Sequence, residues 1–401
     1  MKKSESEQIT HFRTANPSSV RDVNRSIVLS LIRLHEPLSR AALSEKTGIF
    51  RSNISSIVDD LIETRLVREE RATPNGRGRV PYLLSLRDDT YRVAAVSIRP
   101  ITTSVACSGL TARPQKVLQF KTPAHPKDAV TQIASAVRQL KAEIGMGSKK
   151  DFGRIGVSVP GLVNAHTGEV LWIPALPDYA EFPLRQELEQ QTGVKIEIDN
   201  DCNLGALADM RLRQVDMGGV KDFVFLEIGD IGVGAGLILN GELYRGHDAR
   251  FVAEFGHMIV DPDGPKCRCG RRGCWELYVC DRATWRRFRP SASFSEESVE
   301  RVIAASLNGE KSAIKALRQT ARYLAIGISN IVLALNPQVI VVAGRIMESW
   351  DQLRPFVETE FAPSQIPIHI LPARMAPEPL FLQGALSLAL HDVFAQPALG
   401  W

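Results

Sequence analysis

The chain has 401 residues, 44% of them hydrophobic and 23% charged, an ordinary soluble globular composition in which two or three domains can each bury a core. No apolar run approaches the roughly 18 residues of a membrane span, which excludes a spanning helix. With no N-terminal targeting pattern, the expected location is cytoplasmic and without a membrane partner. The formal charge of +4 is uneven: residues 1–85 hold 14 Lys/Arg and 10 Asp/Glu, so they carry the whole excess. A basic head on a neutral body suits a nucleic-acid-binding module joined to a sensor or an enzyme.

Residues 1–19 are polar and are expected to form a disordered tail. A helix is predicted over 20–34, with Ile27, Val28, Leu31, Ile32 and Leu34 on its apolar face, stopped by Pro37. Ser39 is a good N-cap for a short helix over 40–46, closed by Thr47-Gly48. Ile54, Ile57, Val58, Leu61 and Ile62 then fall at helical spacing on one face. Helix, short helix, glycine turn and helix make a helix-turn-helix. The leading face of the third helix presents Arg51, Ser52, Asn53, Ser55 and Ser56, groups suited to base edges and phosphates in a major groove.

Strands predicted over 66–70 and 80–86 flank the turn 74–79 and would form a wing. Its tip sets Arg77 and Arg79 among glycines, so guanidinium groups can enter a minor groove. Residues 20–88 thus read as a winged helix-turn-helix whose partner is double-stranded operator DNA. A small helical docking domain with a solvated basic hairpin is the alternative; the order of the elements favours DNA.

Beyond residue 90 strands and helices alternate. Strands over 92–98, 102–108 and 116–121 form a meander, followed by a helix over 128–144 and a buried strand over 155–159 that ends at Pro160-Gly161. A helix over 184–191 and a strand over 195–198 lead into Asp199-Asn200-Asp201-Cys202-Asn203 and a further helix. A second lobe opens with a strand over 223–228 and turns through residues 229–236, whose Gly232, Gly234 and Gly236 read as a tight inter-strand turn. A strand over 237–239, a long helix over 316–335 and a strand over 339–342 follow. The last helix, over 384–394, is placed to return to the first lobe. The fold class is α/β, two lobes with a cleft between them: residues 89–200 plus 382–401, and residues 201–381.

Three of the six cysteines, Cys267, Cys269 and Cys274, crowd one loop of the second lobe, with His257 ten residues ahead. Three thiolates and an imidazole with no open position make a structural zinc site. Gly270 and Gly273 let a short loop fold its sulfurs around one ion. A disulfide competes, but Cys107, Cys202 and Cys280 are scattered in apolar surroundings and no secretion signal precedes them. Glu254 and Glu276 bracket the loop, a rigid frame for a polar pocket.

From residue 20 onward the chain resembles the ROK family of repressors, open reading frames and sugar kinases, most specifically in His257, Cys267, Cys269 and Cys274 with Glu254 ahead and Glu276 behind. The resemblance implies an actin-like, two-lobed sugar-kinase fold behind the winged helix. It also implies a sugar held between the lobes by Asn200, Asp201, Glu254, His257 and Glu276, whose carboxylates accept charge-assisted hydrogen bonds from hydroxyls. Asp201 stands where the kinases place the general base. Alternatively, Glu254 and Glu276 only brace the metal loop.

Two departures from the kinases matter. Their first hairpin carries an Asp-x-Gly-Gly-Thr turn for ATP; here Ser97-Ile98-Arg99-Pro100-Ile101-Thr102 has no glycine and no acid, and Pro100 lacks an N–H. The second phosphate turn, Asp230-Ile231-Gly232-Val233-Gly234, replaces a threonine with isoleucine and adds a carboxylate. Ala175-Leu176-Pro177 also replaces a sugar-contacting asparagine. The resemblance therefore implies a non-catalytic, sugar-responsive repressor acting as a homodimer or homotetramer. Retained kinase activity and control by a partner protein are the alternatives.

Overall fold

The computed structural model describes residues 17–73, 81–147, 151–213, 217, 219–250, 252–295, 297–361 and 369–394. They belong to two compact units: Met1–Tyr91 with Gly109–Thr111 and Leu390–Trp401, and Arg92–Ser108 with Ala112–Ala389.

In the first unit, α1 (Pro17–His35), α2 (Arg40–Thr47) and α3 (Arg51–Glu63) precede the antiparallel strands β1 (Val67–Arg71) and β2 (Tyr82–Leu86). Ser39 caps α2, its hydroxyl accepting from the Ala42 N–H at 3.1 Å, and Gly48 ends it at φ 70°. Val28, Leu29, Ile32, Leu43, Ile54, Val58 and Leu61 are fully buried with Val67 and Leu84, so the helical stripe seals against the base of the hairpin. Helix α1 starts at Pro17, where proline's missing N–H costs nothing, so residues 17–19 are helical rather than part of a disordered tail. Residues 1–16 of that expected tail, and the turn 74–79 with Arg77 and Arg79, lie outside the described residues.

The second unit contains one topology twice. Its first sheet comprises β3 (Val93–Ile98), β4 (Thr102–Ser108), β5 (Lys116–Lys121), β6 (Ile155–Val159) and β9 (Ile196–Asn200), ordered β5-β4-β3-β6-β9. Helix α4 (Pro126–Glu143), a small hairpin of β7 (Leu162–Asn164) and β8 (Glu169–Trp172), and α5 (Leu184–Thr192) complete this lobe. After α6 (Asp201–Arg213), the second sheet comprises β10 (Phe223–Ile228), β11 (Val233–Leu239), β12 (Glu242–Tyr244), β13 (Val339–Ala343) and β14 (Ile370–Pro372), ordered β12-β11-β10-β13-β14. Between its strands lie α7 (Glu276–Val279), α8 (Asp281–Phe288), α9 (Ser298–Leu307), α10 (Lys311–Leu335) and α11 (Trp350–Phe361). In both sheets the first three strands are an antiparallel meander and the last two add in parallel.

Helix α12 (Pro377–Ala389) packs on β3 and β6 of the first sheet and along α6, which in turn packs on β10 and β11 of the second. A Cβ on Gly156 of β6 would stand 1.9 Å from the Ala385 carbonyl oxygen, a measure of how closely α12 sits. Phe225 and Phe381 meet edge to face at 6.4 Å, worth about 1 kcal/mol beyond their burial. Thus α6, which the sequence assigns to the second lobe, links the two sheets with α12. The single last helix expected over 384–394 is two: α12, then α13 (His391–Phe394), which belongs to the first unit. There Arg33 covers the Phe394 ring at 4.3 Å, giving α13 its own anchor.

The glycine-rich turn also differs from expectation. Gly234 and Gly236 lie inside β11 and only residues 229–232 turn. A Cβ at Gly234 would stand 2.4 Å from Cys202 Sγ, and one at Gly236 would stand 2.3 Å from the Cys202 carbonyl oxygen. These glycines therefore serve the close approach of α6 to the strand. Among the described residues no helix is long and apolar enough to cross a membrane.

Candidate ligand cleft, metal loop and DNA face

The parallel strands of both sheets end on a shared cleft of about 1500 Å³, the position where open α/β sheets bind ligands. Ser97 near the end of β3 and Arg99 just after it, Pro160-Gly161 after β6, Asn200 ending β9 with Asp201 opening α6, Gly229 to Gly232 after β10, and Gly344 after β13 all line it. All five sugar-site residues expected from the sequence line the same cleft: Asn200, Asp201, Glu254, His257 and Glu276.

Their surroundings are unequal. Asn200 Oδ1 accepts from the Cys202 and Asn203 N–H groups at 2.8 and 3.2 Å, while its Nδ2 donates to the Gly161 carbonyl at 2.8 Å. Its amide therefore caps α6 and pins the turn after β6. Glu276 is 2% exposed at the start of α7; its Oε1 accepts from the Cys267 thiol at 3.1 Å, and its Oε2 lies 3.5 Å from Arg268. Glu254 is exposed and lines the cleft. Burial raises its pKa, the nearby Glu276 adds to the rise, and Arg268 opposes it.

Arg99, which the sequence shows only as a missing glycine, sits in the middle of this arrangement. Its guanidinium donates to Asp201 Oδ2 at 2.8 Å and to Glu227 Oε1 at 3.0 Å, and it lies 5.0 Å over the Phe381 ring. Burial works to lower its pKa, but Glu227 and Asp201 outweigh that and hold it above its ordinary value. Burial likewise raises both carboxyls, and Arg99 opposes the rise. Because Arg99 comes from the β3–β4 turn and Glu227 from β10, this ion pair spans the two sheets. On the opposite turn Asp230 stands with Asp281 and Glu300 along the cleft. Asp281 is 1% exposed, and burial, then Asp230, push its pKa well up.

The metal loop is held on three sides. Val260 N–H donates to the Gly273 carbonyl at 2.9 Å, and Cys267 N–H to that of Arg271 at 2.7 Å. Gly273 is at φ 65°, where a Cβ would lie 1.5 Å from the Asp261 carbonyl oxygen, so no other residue fits. Trp275, fully buried, lies against Gly327 of α10 and donates from Nε1 to the Tyr323 carbonyl at 2.7 Å. Within this frame the ligand atoms of His257, Cys267, Cys269 and Cys274 lie within 4.8 Å of one another. Cys269 and Cys274 sulfurs are 3.5 Å apart, and Cys267 Sγ is 3.7 Å from His257 Nδ1. Donors about 2.0–2.3 Å from one tetrahedral ion stand about 3.3–3.8 Å apart. The four residues thus fit a single metal ion with little movement, and His257 turns Nδ1 toward it.

On the first unit, Arg51, Ser52, Asn53 and Ser56 are exposed on α3 and Ser55 is half-buried. Two acids of this helix are engaged: Asp59 pairs with Arg40 at 2.8 Å and Asp60 with Arg25 at 2.7 Å.

A winged helix joined to two topologically equivalent α/β lobes, with a Cys/His cluster beside the cleft, defines a DNA-binding-type head on a sugar-kinase fold. The chain belongs to the ROK family, whose profile matches residues 102–369; that of the MarR family matches residues 22–78. It is 28% identical over 353 residues to the xylose repressor of Bacillus spizizenii, covering 86% of this chain and 88% of that protein. It is 29% identical over 249 residues to the glucokinase of Streptomyces coelicolor, covering 57% of this chain and 74% of that one. A crystal structure of a ROK family transcriptional regulator, a homologue of the Escherichia coli MLC protein, superposes with TM-score 0.75 at 23% identity, covering 94% of this chain and 99% of that one.

Proposed function

We propose that the protein is a DNA-binding repressor of carbohydrate metabolism whose operator affinity is set by a sugar or sugar derivative in the cleft, and that it does not phosphorylate that sugar. The observation that carries the second half is Arg99. A general base must be free to take the hydroxyl proton, whereas Asp201 Oδ2 already accepts from a guanidinium at 2.8 Å. A transferred phosphate needs a backbone nest and cations; here one turn contains Arg99-Pro100, and the other brings Asp230 beside Asp281 and Glu300, with the nearby Arg345 already 3.7 Å from both Asp230 and Glu300.

In this reading Asn200, Asp201, Glu254, His257 and Glu276 contact the sugar. Arg51, Ser52, Asn53, Ser55 and Ser56 contact the major groove, and Arg77 and Arg79 the minor groove. The metal is zinc, since three thiolates and an imidazole that together fill a tetrahedral set favour it. Bound there, zinc cross-links the loop and fixes the Glu254 and His257 side of the pocket. The working form is a cytoplasmic homodimer or homotetramer, and the sugar acts by binding one of two conformations more tightly. The name of the Bacillus relative puts xylose first among the sugars to be tried.

The test takes the full chain through three measurements. An operator selected from a random duplex library should be retained, while a chain lacking residues 1–88 should not retain it. One class of sugar should raise the melting temperature by mass action and release the DNA. With ATP, magnesium and the same sugars, sugar phosphate should not accumulate. Turnover above about 1 per second, the low end for kinases, would overturn the non-catalytic reading. Equal DNA retention by the truncated chain would overturn the repressor reading.

A further inference from the structure

We propose that Phe50 is a base-reading residue that packs against a thymine methyl group in the major groove; this rests on the DNA-binding reading above. Among the described large apolar residues Phe50 is the most exposed, at 79%. A single exposed apolar side chain is ordinary by itself, and the case for a partner comes from where this ring sits. Phe50 is the N-cap residue of α3, and its carbonyl accepts from the Asn53 and Ile54 N–H groups at 3.0 Å each. The backbone that carries the ring is therefore fixed, and it sits one residue ahead of exposed Arg51, Ser52 and Asn53.

Charge selects the occupant. The first turn of α3 has no acidic residue, and Asp59 and Asp60 further along are held by Arg40 and Arg25. The first turn of α3 thus sets no carboxylate of its own against a phosphate backbone, and the first 85 residues carry the positive excess of the chain. A polyanion is thus favoured over a second apolar protein surface. In a major groove the apolar feature that a duplex offers is the C5-methyl of thymine, which phenylalanine contacts. Sequence patterning gives no hint of this residue, because an isolated phenylalanine between Ile49 and Arg51 reads as core.

The experiment uses the full chain and its selected operator, with each thymine replaced in turn by deoxyuridine, which lacks only the methyl. The expected result is one thymine per half-site at which the replacement weakens binding about fourfold, the value of burying one methyl group. Phe50→Ala should bind about tenfold more weakly and show no further loss on that replacement, while Phe50→Leu should retain part of both. Since the side chain is exposed, Phe50→Ala should melt within about 1 °C of the parent. Tolerance of deoxyuridine at every position, or a penalty that persists in Phe50→Ala, overturns the assignment and leaves the DNA-binding reading intact. A change in oligomeric state with unchanged DNA affinity also overturns it, placing Phe50 between copies of the chain. If the library yields no enriched sequence, the DNA-binding reading falls and this proposal falls with it.

Discussion

Cys274→Ser is expected to purify without stoichiometric metal and to melt on the order of 10 °C below the parent. The four donors lie within 4.8 Å of one another, so one ion ties the three cysteines of the loop to His257. Cys274 is fully buried, so losing the ion also leaves a polar hydroxyl facing two sulfurs that no longer share a cation. Loss of a metal belongs to the short list of changes that cost more than about 4 kcal/mol, and about 2–4 °C accompany each kcal/mol in domains of 150–250 residues. The damage should spread in a defined direction. Trp275 follows Cys274 directly and carries the contact to Tyr323 and Gly327 of α10, and Glu276 follows Trp275. A loosened loop therefore releases both the packing of α10 and the carboxylate that faces the cleft, so sugar response and stability should fall together. Metal analysis of the parent and scanning calorimetry of both proteins check this. A reduced parent that contains no metal, or a variant that melts with the parent, removes the structural metal from the account.

The sequence displayed the periodic parts of this fold well. Strands over 102–108, 116–121, 155–159 and 223–228 begin and end where the structure has them, because each is a short apolar run bounded by turn residues. The caps of α2 were legible for the same reason: Ser39 and Gly48 act on groups within four residues of themselves. What was illegible depends on contacts between distant segments. The hairpin of β7 and β8 and the short helices α7 and α8 span three to eight residues each, too few for a period to declare itself. Gly234 and Gly236 look like a turn because nothing local shows that Cys202 of α6 presses against them. The metal donors, crowded into one loop, could be read from spacing alone. The sugar-site set came instead from resemblance, and the cleft collects all five of its members. The residue that alters their chemistry could be read only as a departure in the first turn, because its partners are distant: Arg99 finds Asp201 and Glu227 102 and 128 positions away.

Removing that arginine should produce a stability loss that depends on pH in a particular direction. Arg99→Met keeps the stem that packs near Phe381 and deletes the charge, leaving Asp201, Glu227 and the nearby Glu378 without their shared cation. Breaking a buried ion pair by removing one partner costs about 3–5 kcal/mol. Both carboxyls already have raised pKa values from burial, against the pull of Arg99, so its loss must raise them further. A carboxyl whose folded pKa lies above its unfolded value binds a proton in the folded state that the unfolded chain has released. Folded stability is then lost as pH rises through that interval and is regained by acidification toward the unfolded value near 4. The difference in melting temperature between parent and Arg99→Met should accordingly be small near pH 5 and widen toward pH 8, where the penalty is in full force. An acidic ligand site that has become protonated also donates where it once accepted, so sugar affinity in the variant should fall most at the acid end, opposite to stability. Melting curves at four or five pH values, with and without the effector, resolve both trends. A deficit that stays constant from pH 5 to 8 would show that Arg99 acts through packing alone and that Asp201 and Glu227 do not depend on it for their charge.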